Sequence, residues 1–463
     1  MSACSLYHRQ YRAGAGAHVS NPNYDLYFIE SDDNGWFWEP AQAQSAFEAV
    51  RSSAAAGDTF VVLFVAGWHH LSRCCDDNVE GFKEVLTRIN GELARSMYRE
   101  ARRRVHGTQE APMRVIGIYL GWRGRSLPGL IDYATFFGRK AAAMRVGESD
   151  VREFLVRLRD FYVSHGGTAT PGGSRNLLGL ITIGHSFGGQ VVLRATSTFI
   201  EHELMQFGAP PAYLRERPSG ATGTTPSMLL GGFGDLIVLI NPAVEAAAYQ
   251  RLHALGIRAR YSDTQTPVML TISADNDGPR GTYFPLGRIL GEWLTTAPHI
   301  ADARERGLER RALGFATEQV THRLEPVDGT MRLKSATRVS QPEPACVGHD
   351  RCEYTWYDWA NRPAVRVAPD TLTADEYSRR ALASIASHDF SATTVFDDVV
   401  LKPVSGNIPH QALIVASASP NIIDGHNGMF CEPLLRFLTR YIGFIEARRK
   451  LPLSTLQSTS PER

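Results

Sequence analysis

The apolar run Leu177-Leu178-Gly179-Leu180-Ile181-Thr182-Ile183 stops abruptly at Gly184-His185-Ser186-Phe187-Gly188-Gly189, and Gln190-Val191-Val192-Leu193-Arg194-Ala195 then opens a helix-compatible stretch reaching about Met205. A strand that passes into a helix within a few residues confines the chain severely. Only glycine-sized neighbours let the helix run so close to the strand, and the serine between them is held in a strained backbone conformation. Its hydroxyl stands up from the sheet edge with the helix N-terminus beneath it. Such a junction requires a sheet covered by helices.

The rest of the chain agrees. Short β-branched apolar runs alternate with helix-length segments through the first two thirds, the pattern of a mostly parallel sheet covered on both faces. Strands are expected at 24–28, 59–65, 114–119, 178–183, 236–240, 268–273 and 412–416, and helices at 41–54, 79–105, 135–146, 151–165, 189–205 and 433–448. The stretches 166–175 and 217–226, rich in Gly, Ser, Thr and Pro, are expected as surface loops. One long segment breaks the rhythm. Residues 280–405 carry a helix near 301–313 and the aromatic run Tyr354-Thr355-Trp356-Tyr357-Asp358-Trp359, and are expected as a cap or lid inserted before the last strand. The core then comprises 1–279, with an N-terminal extension over 1–22, and 406–450, leaving 451–463 as a flexible tail.

Length and composition set outer bounds. A chain of 463 residues accommodates one large α/β domain with insertions or two domains of ordinary size. The formal net charge of +1 gives no reason to expect nucleic acid or an anionic membrane as partner. The first residues lack the apolar core of a signal peptide, and no stretch reaches the ~18 uninterrupted apolar residues of a membrane span. Six cysteines in so long a chain, two of them adjacent at Cys74 and Cys75, do not suggest a disulfide scaffold. Reduced thiols and a cytoplasmic location are the expectation from these counts.

Serine is a weak nucleophile until a neutral histidine takes its proton, and that histidine needs a carboxylate to fix its tautomer and stabilise the imidazolium. If Ser186 is such a nucleophile, the acid should follow a later strand and the histidine should come near the end of the chain. His426, in Ile422-Ile423-Asp424-Gly425-His426-Asn427-Gly428, combines position with a turn-rich loop after the last strand; His410, just before that strand, is the fallback. For the acid, the strand ending at Ser273 runs into Ala274-Asp275-Asn276-Asp277-Gly278. Asp277 is favoured as lying further beyond the strand, with Asp275 as alternative and Glu245, after the preceding strand, as outside candidate. An oxyanion hole requires two backbone N–H groups. The residue after the nucleophile, Phe187, supplies one, and the loop Phe64-Val65-Ala66-Gly67-Trp68-His69-His70 supplies the other through Trp68.

These segments together resemble the α/β-hydrolase fold superfamily, and within it a group of esterase- or lipase-like serine hydrolases. The resemblance covers most of the chain. It rests on Val65-Ala66-Gly67-Trp68-His69-His70 with Asp76-Asp77-Asn78-Val79 following, on Gly121-Trp122-Arg123-Gly124 and Arg139-Lys140-Ala141-Ala142, and on Gly184-His185-Ser186-Phe187-Gly188-Gly189, Asn241-Pro242-Ala243 and Gly425-His426-Asn427. It implies an α/β-hydrolase fold and hydrolysis of carboxylic esters without metal or organic cofactor. Relatives generally carry His-Gly in the oxyanion loop, where this chain has Ala66-Gly67.

Other features are set aside. His69-His70 with Cys74-Cys75-Asp76-Asp77 matches no standard zinc spacing, and Cys346-x-x-His349-x-x-Cys352 offers three ligands with no evident fourth. The aromatic run 354–359 could line an acyl pocket or form the cap's own small core. Arg123 is as well suited to a structural salt bridge as to substrate contact. The expectation is thus an esterase that forms an acyl-enzyme on Ser186 and takes a small-molecule or lipid ester. A lipase or phospholipase, or an inactive hydrolase fold used as a binding scaffold, stand as alternatives. Substrate-binding residues and oligomeric state are not legible.

Overall fold

The computed structural model describes residues 9–95, 113–123, 136–166, 176–207, 229–278, 303–360 (without 345 and 347), 389–404 and 408–450, with 99, 102 and 106 in addition. Parallel strands buried on both faces should be continuous apolar runs, and the central ones are. β3 (Asp58–Val65), β5 (Leu178–His185), β6 (Leu236–Ile240), β7 (Met269–Ala274) and β13 (Leu413–Ala418) are buried along their whole length. β2 (Tyr24–Ser31) and β4 (Met113–Trp122) complete the parallel set on one side.

The sheet runs β1-β2-β4-β3-β5-β6-β7-β13-β8-β12-β11, where β1 is His18–Asn21, β8 His322–Pro326, β11 Thr394–Phe396 and β12 Val399–Pro403. From β2 to β8 every pairing is parallel; β1 at one edge and β12 and β11 at the other are antiparallel. The chain leaves β3 for β4 on one side and returns to β5 on the other. The crevice outside the carboxyl ends at such a reversal is where open α/β sheets hold ligands, and Ser186 follows β5 directly.

Alternation within each strand divides the core into two layers. Phe60, Val62 and Phe64 of β3 face α2 (Asp77–Arg95) and α8 (Glu432–Lys450), whereas Val61, Leu63 and Val65 face α1 (Pro40–Ala56), α3 (Phe136–Val146), α4 (Asp150–Gly166), α5 (Phe187–Phe207) and α6 (Ala246–Gly256). A mostly parallel sheet covered by helices on both faces, the coarse expectation, is what the chain forms.

The segment 280–405 departs from the expected cap. The described part holds one short helix, α7 (Ala303–Arg310), but β8, β12 and β11 extend the central sheet beyond β13 rather than forming a separate layer. These strands are short and alternate with polar residues, so they carry no core-strand signature. A hairpin of β9 (Leu333–Ser340) and β10 (Cys352–Trp359) forms its own two-stranded sheet. Tyr354, Trp356 and Trp359 belong to the main α2/α8 core layer. Trp356 is 1% exposed, with the guanidinium of Arg338 3.7 Å and that of Arg88 5.2 Å from its ring. The aromatic run is therefore core, not the wall of an open pocket. Residues 280–302 and the expected tail 451–463 lie outside the described residues.

The expectation of reduced thiols is corrected. Cys74 pairs with Cys346 and Cys75 with Cys352, so the loop after β3 is stapled twice to the β9–β10 segment. The same segment is fastened by a buried ion pair between Arg12 and Glu343 and by Lys83 on Glu343 at 2.5 Å. Bonds of this kind form and persist in oxidising surroundings, which removes the ground for inferring a cytoplasmic location from cysteine usage. No helix among the described residues is long and apolar enough to cross a membrane. Cys431 is free and buried, and burial pushes its thiol up to about 12.

Candidate active site

Ser186 has φ +54°, left-handed backbone that costs a residue with a Cβ of order 1–2 kcal/mol. The surroundings hold it there. Its N–H donates to the Ile240 carbonyl at 3.1 Å, and its carbonyl accepts from Gly189 at 3.0 Å and Ala243 at 2.9 Å. Gly188 is required next to it, because a Cβ there would come within 2.1 Å of the Val65 carbonyl oxygen. α5 begins at Phe187, so its N-terminal dipole end lies under the serine, as the strand-to-helix break predicts.

His426 and Asp277 meet this serine. The His426 Nε2 lies 2.8 Å from Ser186 Oγ, and its Nδ1 lies 2.7 Å from Asp277 Oδ2. The Asp277 side chain is fully buried, whereas that of His426 is 15% exposed and links the buried carboxylate to the surface. With Nδ1–H donated to Asp277, Nε2 is left as the acceptor for the serine hydroxyl. This is the arrangement that makes a serine hydroxyl nucleophilic.

The alternatives point elsewhere. Asp275 donates its N–H to the Ala418 carbonyl, accepts from the Ser417 hydroxyl and lies 3.6 Å from Arg323. These bonds hold it against β13, away from the histidine. Glu245 precedes α6 and is ion-paired with Lys140. His410 lies at the opposite end of β13, its N–H donated to Asp389 at 3.0 Å. Neither Asp275 nor Glu245 serves as partner of His426.

The loop after β3 lies against the serine. A Cβ on Gly67 would be 3.1 Å from the Ser186 Cβ, and the Trp68 and Phe187 rings are 5.9 Å apart. Of the expected oxyanion donors, Phe187 follows Ser186 directly, and Trp68 follows Gly67, the residue packed against it. The carbonyl of Ala66 accepts a hydrogen bond from Trp122 Nε1 at 2.8 Å. An indole at the end of β4 anchors the loop from outside. Arg123 has a structural role: with Arg139 it pairs with Asp33. Among the described residues, no group of three His, Cys, Asp or Glu side chains could hold a metal ion. His70 is hydrogen-bonded to Asp76 at 3.0 Å, and the nearby cysteines are consumed in disulfides.

Two neighbours lie in segments that carry the resemblance but were given no role from the sequence. His185 is 1% exposed and donates from Nε2 to the carbonyl of His426 at 3.0 Å; burial first, and then the adjacent His426, hold its imidazole well below the usual histidine range, so it is neutral. Asn241, after β6, is fully buried and touches two loops at once. A polar residue ending an apolar strand beside a proline is the one signal that could have flagged it. Comparisons with protein-family models, with curated proteins and with solved structures each found no match.

Proposed function

We propose that the protein is a serine hydrolase of the α/β-hydrolase type that cleaves carboxylic esters through an acyl-enzyme. The observation that carries this reading is the unbroken hydrogen-bonded series Asp277–His426–Ser186, ending on a serine held at positive φ above a helix N-terminus. The order β2-β4-β3-β5-β6-β7-β13 supports it, with nucleophile, acid and histidine following β5, β7 and β13 at their carboxyl ends. In this reading His426 takes the Ser186 proton as Oγ attacks the ester carbonyl. The amides of Trp68 and Phe187 receive the oxyanion, and His426 then protonates the departing alcohol. Water, activated by the same imidazole, releases the acid. No step calls for a cofactor or metal.

Burial of the aromatic run in the core withdraws the argument for a lipid-directed site, so a general ester hydrolase is preferred to a lipase. An inactive scaffold would have no need of a strained serine aligned with an imidazole and a buried carboxylate. The deciding experiment is covalent labelling by a fluorophosphonate, read by intact mass. Wild type should be phosphonylated once, Ser186→Ala not at all, and His426→Ala slower by at least ~10³-fold. A folded wild type that resists labelling and turns over no short aryl ester sinks the proposal.

A further inference from the structure

Asn241 occupies a position from which one carboxamide reaches both loops that serve Ser186. Its Nδ2 donates to the carbonyls of His426 at 2.8 Å and Gly425 at 3.1 Å, while its Oδ1 accepts the N–H of Ala274, at the head of the acid loop, at 2.8 Å. Its own N–H donates to Ile272 at 2.8 Å, and its φ of +45° turns the side chain out of the strand direction. Ile240 just before it and Ala243 two residues after it bond the backbone of Ser186 itself. Three residues between Ile240 and Ala243 therefore touch the loops of all three reacting groups. The carbonyl of His426 takes a second side-chain donor, His185 Nε2, from the residue preceding the nucleophile.

We infer that Asn241, assisted by His185, is a positioning residue that sets His426 in register between Ser186 and Asp277. The inference rests on the hydrolase reading above. The chemistry demands asparagine. The two loops present carbonyl oxygens on one side and an N–H on the other, so the bridging group must donate and accept at once, and asparagine is also tolerant of the left-handed region. Aspartate would set a carboxylate oxygen against two carbonyl oxygens. Leucine would take a donor from the Gly425 and His426 carbonyls and the acceptor from the Ala274 N–H. His185 fits the same purpose, because a buried neutral imidazole keeps a single N–H for the His426 carbonyl. Gly67 closes over it: a Cβ there would lie 2.9 Å from His185 Nδ1. Reaction geometry is sensitive at this scale, since a misplacement of about 1 Å costs on the order of 10²-fold in rate.

The test compares wild type, Asn241→Leu, Asn241→Asp, His185→Phe and His185→Gln. One readout is the rate of fluorophosphonate labelling across pH. The other is the downfield proton resonance of the His426 Nδ1–H, assigned by its loss in His426→Ala. Asn241→Leu and His185→Phe should label roughly 10²-fold slower, with a shifted pH midpoint and a displaced or broadened resonance. His185→Gln, which restores a donor near Nε2, should recover most of the rate lost in His185→Phe. Should Asn241→Leu fail to fold, the two His185 variants decide. Unchanged labelling, midpoint and resonance in the folded variants would overturn the inference. A wild type that never labels would overturn the hydrolase reading instead, and the resonance would still judge the positioning of His426.

Discussion

Two buried carboxylates lie at opposite ends of the sheet, and only one of them leads anywhere. Asp235, just before β6, accepts from the Leu180 N–H at 2.7 Å and from the Tyr162 hydroxyl, and pairs with Lys450 and Arg449 at 3.2 Å each. Burial pushes its carboxyl up, but Lys450 and Arg449 outweigh that and hold it below the usual range. Asp235 itself is fully buried, and its side chain is held by Tyr162, Lys450 and Arg449. Asp277, at the other end, is as deeply buried, yet its partner His426 reaches the surface and touches a serine on left-handed backbone. A buried ionised group with shifted titration is therefore no mark of chemistry by itself. The mark is a hydrogen-bonded series that ends on a strained nucleophile.

The contrast is broken most decisively by exchanging losses between the ends. Asp277→Asn should cut turnover of a short aryl ester by ~10⁴-fold, because the imidazole loses its correct tautomer, while the unfolding midpoint moves little. Asp235→Ala should do the reverse. It leaves Lys450 and Arg449 without their buried counter-charge, a change that costs about 3–5 kcal/mol, and the surviving folded molecules should label at the wild-type rate. Denaturant unfolding and labelling kinetics on both variants check this pair. A folded Asp235→Ala protein that labels as slowly as Asp277→Asn would end the distinction.

A smaller effect sharpens the same comparison. The site end alone is stapled, among the described residues, by Cys74–Cys346 and Cys75–Cys352. Removing one bridge by Cys74→Ser with Cys346→Ser should cost about 2–4 kcal/mol. Amide exchange should rise first in the loop after β3 and in β9–β10, leaving β6 and α8 near Asp235 protected. Uniform loss of protection would show that the two ends unfold as one unit.

The legible and illegible parts of the chain divide along physical lines. β3, β5, β6, β7 and β13 were readable because burial on both faces leaves a run of β-branched and other apolar residues that nothing else imitates. β8, β11 and β12 were not, since short edge strands alternate with polar positions and resemble loop. That Ser186 and His426 come together was readable from turn chemistry and chain order. The choice of Asp277 over Asp275 turned on which residue of the loop faces β13, a matter of pleat and loop path rather than residue type. Asn241 escaped assignment because its purpose lies in bonds to residues more than thirty and more than 180 positions away. The disulfides were missed for the same reason: adjacent Cys74 and Cys75 find partners 272 and 277 positions on, and counting thiols cannot supply that distance.

The smallest effect is the one with opposite signs at the two ends. His185 is held well below its ordinary value of 6.5, by burial first and then by the adjacent His426. The unfolded chain therefore binds a proton at His185 that the folded chain refuses, so this stability is present above about pH 6.5 and is lost as pH falls below it. Glu446 is held well above its ordinary value of 4.5, by burial and then by the neighbouring Asp235 carboxylate, with Lys450 and Arg449 opposing. Here the folded chain keeps a proton that the unfolded chain releases, so its contribution is full below pH 4.5 and is lost as pH rises toward the folded value. One proton sets a limiting slope of about 1.4 kcal/mol per pH unit for each group. Unfolding free energies measured from pH 4.5 to 9 should show His185→Gln removing a rise in stability with pH that ends near pH 6.5, and Glu446→Gln removing a fall with pH that begins near pH 4.5. If Glu446→Gln left that fall unchanged, the carboxyl would be ionised in the fold, and the base of the sheet would carry two charged acids against Lys450 and Arg449 rather than one.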